Sequence, residues 1–136
     1  MAGSLVIDTL KSSTTGAPVF QNTSGVEIGQ LCKAWVNFAG STGTRNASFN
    51  VSSVTRNGVG DYTINFANAM PDANYAPVIA SQLDQSGGAG NATMGSGIYR
   101  TAAALSTGSF RMYAAYSTSG GQAQADMTVL SVAIFR

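Results

Sequence analysis

The chain contains no histidine and a single cysteine, and only 10% of its 136 residues are charged. Each shortage removes a class of chemistry. Without histidine there is no Ser-His-Asp or Cys-His nucleophile system, no His-rich zinc site, and no general base of the commonest kind at neutral pH. The lone Cys32 excludes an intrachain disulfide framework. Strand alternation sets Cys32 on one face with Val36 and Phe38, so it reads as a core thiol and not as a nucleophile, which needs an exposed electropositive setting. The seven basic residues, Lys11, Lys33, Arg45, Arg56, Arg100, Arg111 and Arg136, are scattered and form no run. A protein that neutralises phosphates gathers such residues into a stripe, so nucleic acid is not an expected partner. No stretch approaches the roughly 20 apolar residues that span a bilayer, so membrane insertion is not expected. The opening Met1-Ala2-Gly3-Ser4-Leu5-Val6-Ile7-Asp8 has too short an apolar run, and no basic leader, for a signal peptide. Synthesis and assembly in a cytoplasm are expected.

The acidic residues add little. Asp8, Glu27, Asp61, Asp72, Asp84 and Asp126 are the six carboxylates. Asp61 and Asp72 fall in turn sequences, where Asp hydrogen-bonds its own backbone. Paired acids facing each other across a sugar are not indicated. There is no Asp-x-Asp-x-Asp-Gly calcium loop, and the glycine clusters lack the Lys-Ser/Thr of a phosphate loop. The expectation is a protein that is not an enzyme, with no metal and no cofactor.

What is abundant is Ser, Thr, Asn, Gln and 16 Gly, set among 44% apolar residues. Low charge with ordinary hydrophobicity is not the signature of disorder. It fits a β protein with Gly- and Asn-rich turns, much of whose surface meets other protein. In residues 31–38 the alternation places Cys32, Ala34, Val36 and Phe38 opposite Lys33, Trp35 and Asn37, a period of two that marks a strand. Gly40-Ser41-Thr42-Gly43 is a turn. A strand is expected from Phe49 through Asn50 and Val51 to about Thr55. Asn57-Gly58 then predicts a tight hairpin, both residues accepting positive φ cheaply. The hairpin leads into Tyr62, Ile64 and Phe66 on one face. Met70-Pro71-Asp72-Ala73-Asn74 is a turn, and the strand over 75–83 belongs at an edge or start because Pro77 cannot donate to a ladder. Further strands are expected over 93–105, 109–117 and 127–135, with loops over Gln85–Asn91 and Gly120–Gln124. Leu130, Val132 and Ile134 lie opposite Val129, Ser131, Ala133 and Phe135. That last strand is apolar on both faces, as a central strand or an interface strand would be.

The fold class read from this pattern is all-β, an antiparallel β-sandwich of jelly-roll-like character over 31–136. Residues 1–30 differ. They show little periodicity, and read as an arm whose Leu5, Val6, Ile7, Val19 and Phe20 dock on a neighbouring subunit or particle. Trp35 faces away from the core side of its strand, with Tyr99, Tyr113 and Tyr116 further along. It serves either as a platform for a sugar ring or, the favoured reading, as a contact to a second sheet or a neighbouring subunit.

One stretch carries a resemblance. Lys33-Ala34-Trp35-Val36-Asn37-Phe38, the run from Ser48 to Phe66 containing Asn57-Gly58-Val59-Gly60-Asp61-Tyr62-Thr63-Ile64-Asn65-Phe66, and Met70-Pro71-Asp72-Ala73-Asn74-Tyr75 are together similar to a β-rich domain of tailed-phage virion proteins. That domain is common in cyanophages and marine phages, where it occurs in proteins labelled tail-fibre or minor structural proteins. The resemblance covers about residues 31–83. It implies a virion component, other virion proteins (tail or capsid) as partners, and self-association, a homotrimer first. Two roles follow as expectations. One is a short fibre or knob-type appendage whose loops meet the host surface, a host glycan included. Ser41, Thr42 and Arg45, Gln85 and Asn91, and Gln122 would be the receptor-facing residues. The other is a capsid decoration (cement) protein, favoured by the short chain, clamping the head lattice through its arm. A polysaccharide-degrading enzyme is disfavoured by the missing histidine and sparse carboxylates.

Overall fold

Alternating apolar and polar residues yield eleven strands among the residues described by the computed structural model, which are 9–10, 18–82, 93–98, 105–118 and 121–136. The strands are β1 (Phe20–Gln21), β2 (Glu27–Gly29), β3 (Cys32–Phe38), β4 (Arg45–Phe49), β5 (Val51–Gly58) and β6 (Asp61–Phe66), followed by β7 (Ala76–Gln82), β8 (Thr93–Ile98), β9 (Ser109–Thr118), β10 (Gly121–Gln124) and β11 (Val129–Phe135). All pairings are antiparallel. No helix occurs among the described residues. The chain divides between Leu31 and Cys32 into two units.

In the first unit β1 and β2 form a short ribbon. Its turn is held by Asn22, whose Oδ1 accepts from the N–H groups of Ser24 and Val26, each at 3.0 Å. Gly25 supplies the left-handed residue at φ 76°. Val19, Phe20, Val26, Ile28 and Leu31 are all exposed.

The second unit is a sandwich of two sheets. One has the order β4-β3-β11-β7; in the other, β10-β9-β6-β5 form the path and β8 also pairs with β9. The core is the inward set of each strand: Ala34, Val36 and Phe38; Tyr62, Ile64 and Phe66; Phe110, Met112 and Ala114; Leu130, Val132 and Ile134. Phe38 meets Tyr62 edge-on with ring centroids 5.2 Å apart, and Phe66 meets Tyr75 likewise at 5.6 Å. Burying each large side chain of this kind contributes roughly 1.5–3 kcal/mol, so the core is what makes the unit stable. β11, apolar on both sides, is indeed central, between β3 and β7. β7 is an edge strand, which accommodates Pro77.

The structure corrects four local expectations. The run Phe49-Asn50-Val51 does not open one strand. Asn50 sits at φ 54° and the chain crosses there from one sheet to the other, β4 ending and β5 beginning. Asn tolerates that conformation better than other residues with a Cβ. Its side chain also braces the corner, donating to the Lys33 and Asn68 carbonyls and accepting from the Asn68 N–H at 2.7 Å. The β5–β6 hairpin forms as expected, but its turn is not Asn57-Gly58. β5 runs on to Gly58, which pairs with Asp61, and Gly60 takes the positive φ of 64°. Residues 121–124 are not loop: they form β10, hydrogen-bonded to the second half of β9. Cys32 is half-buried and outside the core, because the β3–β11 register shifts between Ile134 and Phe135. Its Sγ donates to the Ala34 carbonyl at 3.1 Å.

Gly60 lies at a junction. β6 pairs with the first half of β9 and β10 with the second, along the same edge. At the changeover the Ala114 N–H donates to the Gly60 carbonyl at 2.8 Å, and the Ala114 carbonyl accepts from the Ala125 N–H at 3.1 Å. A Cβ on Gly60 would stand 2.3 Å from the Ala114 oxygen, so no other residue fits.

Candidate functional site

A sandwich has two outer faces, and here they differ in chemistry. On the five-stranded sheet a row of outward residues from β5 and β6, with Arg111 of β9, is polar and bonded together. Asn65 Nδ2 donates to Ser53 Oγ at 3.0 Å and to Thr55 Oγ1 at 3.2 Å. Asn57 Nδ2 donates to Thr63 Oγ1 at 3.0 Å and to Asp61 Oδ1 at 3.1 Å. Arg111 closes the row with a two-point ion pair to Asp61, Nε to Oδ1 being 2.9 Å.

The outer face of the four-stranded sheet carries an exposed apolar line. Register places Phe49 beside Trp35, Trp35 beside Ala133, and Ala133 beside Val78, one line across all four strands. In the next line Ala47, Asn37, Ser131 and Ala80 stand side by side. Trp35 is 39% exposed, Phe49 55% and Val78 58%. In these two lines the large residues stand on β3, β4 and β7, while β11 contributes only Ser131 and Ala133; Phe135, at the end of β11, is exposed beyond them. The result is a trough along β11 of about 400 Å³, walled by Trp35 and Asn37 on one side and Val78 and Ala80 on the other. The polar groups at its end are bonded to each other: Asn37 Nδ2 donates to Ser131 Oγ, and Asn46 Nδ2 donates to Asn37 Oδ1, both at 2.8 Å. This face is the candidate functional site.

Three of the carboxylates have structural employment. Asp126 accepts from Arg56 Nε at 3.1 Å, from the Gly60 N–H at 3.0 Å and from the Tyr62 hydroxyl at 2.8 Å. The Arg56 guanidinium chiefly, helped by the Gly60 N–H and the Tyr62 hydroxyl, holds the Asp126 carboxyl below its ordinary range. Burial first, and then the hydrogen bond to Asp126, push the Tyr62 phenol well above its own. Gly40 packs against this group, where a Cβ would lie 2.2 Å from the Met127 oxygen and 2.9 Å from the Tyr62 hydroxyl. Asp72 pairs with Arg136, Nε to Oδ1 being 2.9 Å, and accepts from the Asn74 N–H; both lower it to about 2. With Asp61 on Arg111, each of these three acids is matched to an arginine. Among the described residues no group of three His, Cys, Asp or Glu gathers in metal-binding fashion.

The residues singled out from sequence do not converge. Ser41 and Thr42 are exposed on the β3–β4 connection. There the Thr42 and Thr44 hydroxyls bond to each other at 2.8 Å, and the Gly43 N–H donates to the Ala39 carbonyl at 2.8 Å. Arg45 is no loop residue but the first of β4, its guanidinium turned back to the Val51 carbonyl and to Ser48 Oγ. Gln122 is exposed, but lies in the strand β10 of the other sheet. Val19 and Phe20 are exposed in the first unit; Leu5, Val6, Ile7, Gln85, Asn91 and Tyr99 lie outside the described residues. Sequence reasoning did turn Trp35 outward, but gave no sign of Phe49, Val78 and Ala133 beside it, which strand register alone brings together.

No family model and no curated protein matches the chain. Among solved structures, the chain is similar to the crystallised phiAB6 tailspike, determined in complex with three-repeated oligosaccharides of Acinetobacter baumannii surface polysaccharide. The match covers 96% of this chain and 30% of that one, at 17% identity and a TM-score of 0.48. The chain thus spans under a third of the tailspike's length.

Proposed function

We propose that this chain is a non-catalytic structural component of a tailed-bacteriophage virion, a surface-displayed short fibre or knob-type element that contributes to host attachment. The observation that carries the reading is the resemblance over 31–83 to the β-rich domain of phage virion proteins. Its motif residues hold the sandwich together: Tyr62, Ile64, Phe66, Met70 and Tyr75 are core, and Gly60 and Asp61 build the β5–β6 junction. The motif is therefore one of architecture, which suits a displayed scaffold. The absence of histidine and the pairing of Asp61, Asp72 and Asp126 with arginines favour a non-catalytic role. Self-association follows from the same resemblance, with a homotrimer as the first choice.

A second reading is capsid decoration, and one observation favours it. The four-stranded sheet and the β1–β2 ribbon both leave large apolar side chains uncovered, as a lattice clamp would. Quantitative mass spectrometry of purified particles separates the two. Tens of copies per particle fit an appendage, and hundreds fit cement. A particle without the chain overturns both.

A further inference from the structure

The outer face of the four-stranded sheet needs an occupant, and its chemistry selects one. Trp35, Phe49 and Val78 form an exposed apolar row, and no charged side chain lines the trough beside them. A partner recognised through charge would find nothing to pair with inside the trough. A small polar ligand such as a sugar needs convergent polar groups to read its hydroxyls. Here Asn37, Asn46 and Ser131 are hydrogen-bonded to one another. The face also carries its own complement. A ridge, Trp35 flanked by Phe49, stands beside a trough floored by Ala133 and Ser131. A symmetry axis brings identical groups together, so a self-contact must not repel itself; the trough and the Trp35–Phe49 ridge carry no charge, and Lys33, the charged residue on the outward side of β3, is not among the residues that line the trough.

We propose that this face is covered by the same face of another copy of the chain, the Trp35 ridge of one copy seated in the Ala133–Ser131 trough of the other.

Size sets the strength. Four strands about 4.8 Å apart, three of them seven residues long and β4 five, present a face of roughly 400 Å². Two such faces bury about 800 Å² in flat projection, at or below the low end of specific interfaces, so the contact is weak and completes only at high concentration. The inference rests on the self-association in the functional reading above and, because it joins like faces, supplies a two-fold contact and not the three-fold one.

Trp35 is the only tryptophan in the chain, so its emission reports on this surface alone. The experiment is sedimentation velocity of the full chain from micromolar to several hundred micromolar, with Trp35 emission and acrylamide quenching on the same samples. The expected result is a closed dimer at high concentration, a blue shift, and a quenching constant that at least halves; a trimer as the smallest closed species would overturn the proposal. Two variants, Ala133→Phe filling the trough and Val78→Lys charging its edge, should each move the association midpoint at least tenfold with the thermal midpoint unchanged. The proposal is overturned by a monomer at every concentration, by association that leaves Trp35 equally open to quencher, or by variants that associate like the parent. A Trp35 shift on adding maltohexaose, a neutral oligosaccharide, to monomeric protein would also overturn it, assigning the face to glycan. Failure here leaves the particle-copy measurement untouched, so the two readings fail separately.

Discussion

The two outer faces of the sandwich are made by the same backbone rule and finished in opposite ways. On the five-stranded sheet, Ser53, Thr55, Asn57, Thr63, Asn65, Asp61 and Arg111 satisfy one another across three strands. Nothing on that row asks for a partner. On the four-stranded sheet, Trp35, Phe49 and Val78 project from neighbouring strands with only Ala133 between them. Hydrogen bonds along the first face are internal to the fold; the apolar area of the second acts only when something covers it. The contrast separates a face that serves the fold from the face proposed for self-association, and each should answer to its own substitutions.

Removing the anchor of the β5–β6 hairpin should have the largest effect. Asp126→Ala strands Arg56, the Gly60 N–H and the Tyr62 hydroxyl at once. Breaking a buried pair costs 3–5 kcal/mol, and the partial exposure of these groups lowers that to about 2–3 kcal/mol in urea unfolding. If the faces are separate, this variant loses association only by unfolding. Next comes Asp61→Ala, which deprives Arg111 and Asn57 on the polar face. It should cost about 1–2 kcal/mol while leaving the concentration dependence of sedimentation unchanged.

Asn65→Ala, also on the polar face, should cost about 1 kcal/mol in the same assay. On the apolar face Phe49→Ser should change monomer stability by no more than about 0.5 kcal/mol, and yet weaken self-association at the highest concentrations. A stability loss from Phe49→Ser as large as that from Asp61→Ala would dissolve the contrast between the faces.

Acid sharpens it further. Asp126 and Asp72 have folded-state values below their unfolded ones, Asp72 at about 2. Their contribution is complete above the unfolded carboxylate value near about 4 and falls away as pH drops through the folded values. Stability should decline over that window, and Asp72→Asn should flatten its lower part in acid unfolding followed by circular dichroism. Tyr62 has the opposite sign. Its raised value gives stability that is full below about pH 10 and lost above it, which Tyr62→Phe should remove.

Most of the architecture was legible in the sequence, because a period of two is a local property. The inward sets of β3, β6, β9 and β11 follow from alternation, and Pro77 identified an edge strand. Failures came where a neighbour decides. Asn50 reads as a strand residue until the second sheet receives the chain beyond it. Asn57-Gly58 has the better turn chemistry, yet the crowding of Ala114 and Ala125 around Gly60 places the turn two residues later. Gly121–Gln124 reads as loop because its pairing depends on which part of β9 is left open. The candidate site was half legible: Trp35 was correctly turned outward, but its companions come from β4, β7 and β11 through register, and no local pattern encodes register between distant strands.

The shared edge of β9 carries a mechanical consequence. A strand slip of one residue in β6 would exchange its inward and outward sets, turning Tyr62, Ile64 and Phe66 to solvent. It would also drive the β5–β6 turn into the seat where Ala125 bonds Ala114, a space too tight even for a methyl group. The five-stranded sheet is thus indexed twice, by which side chains avoid water and by a physical stop at Gly60.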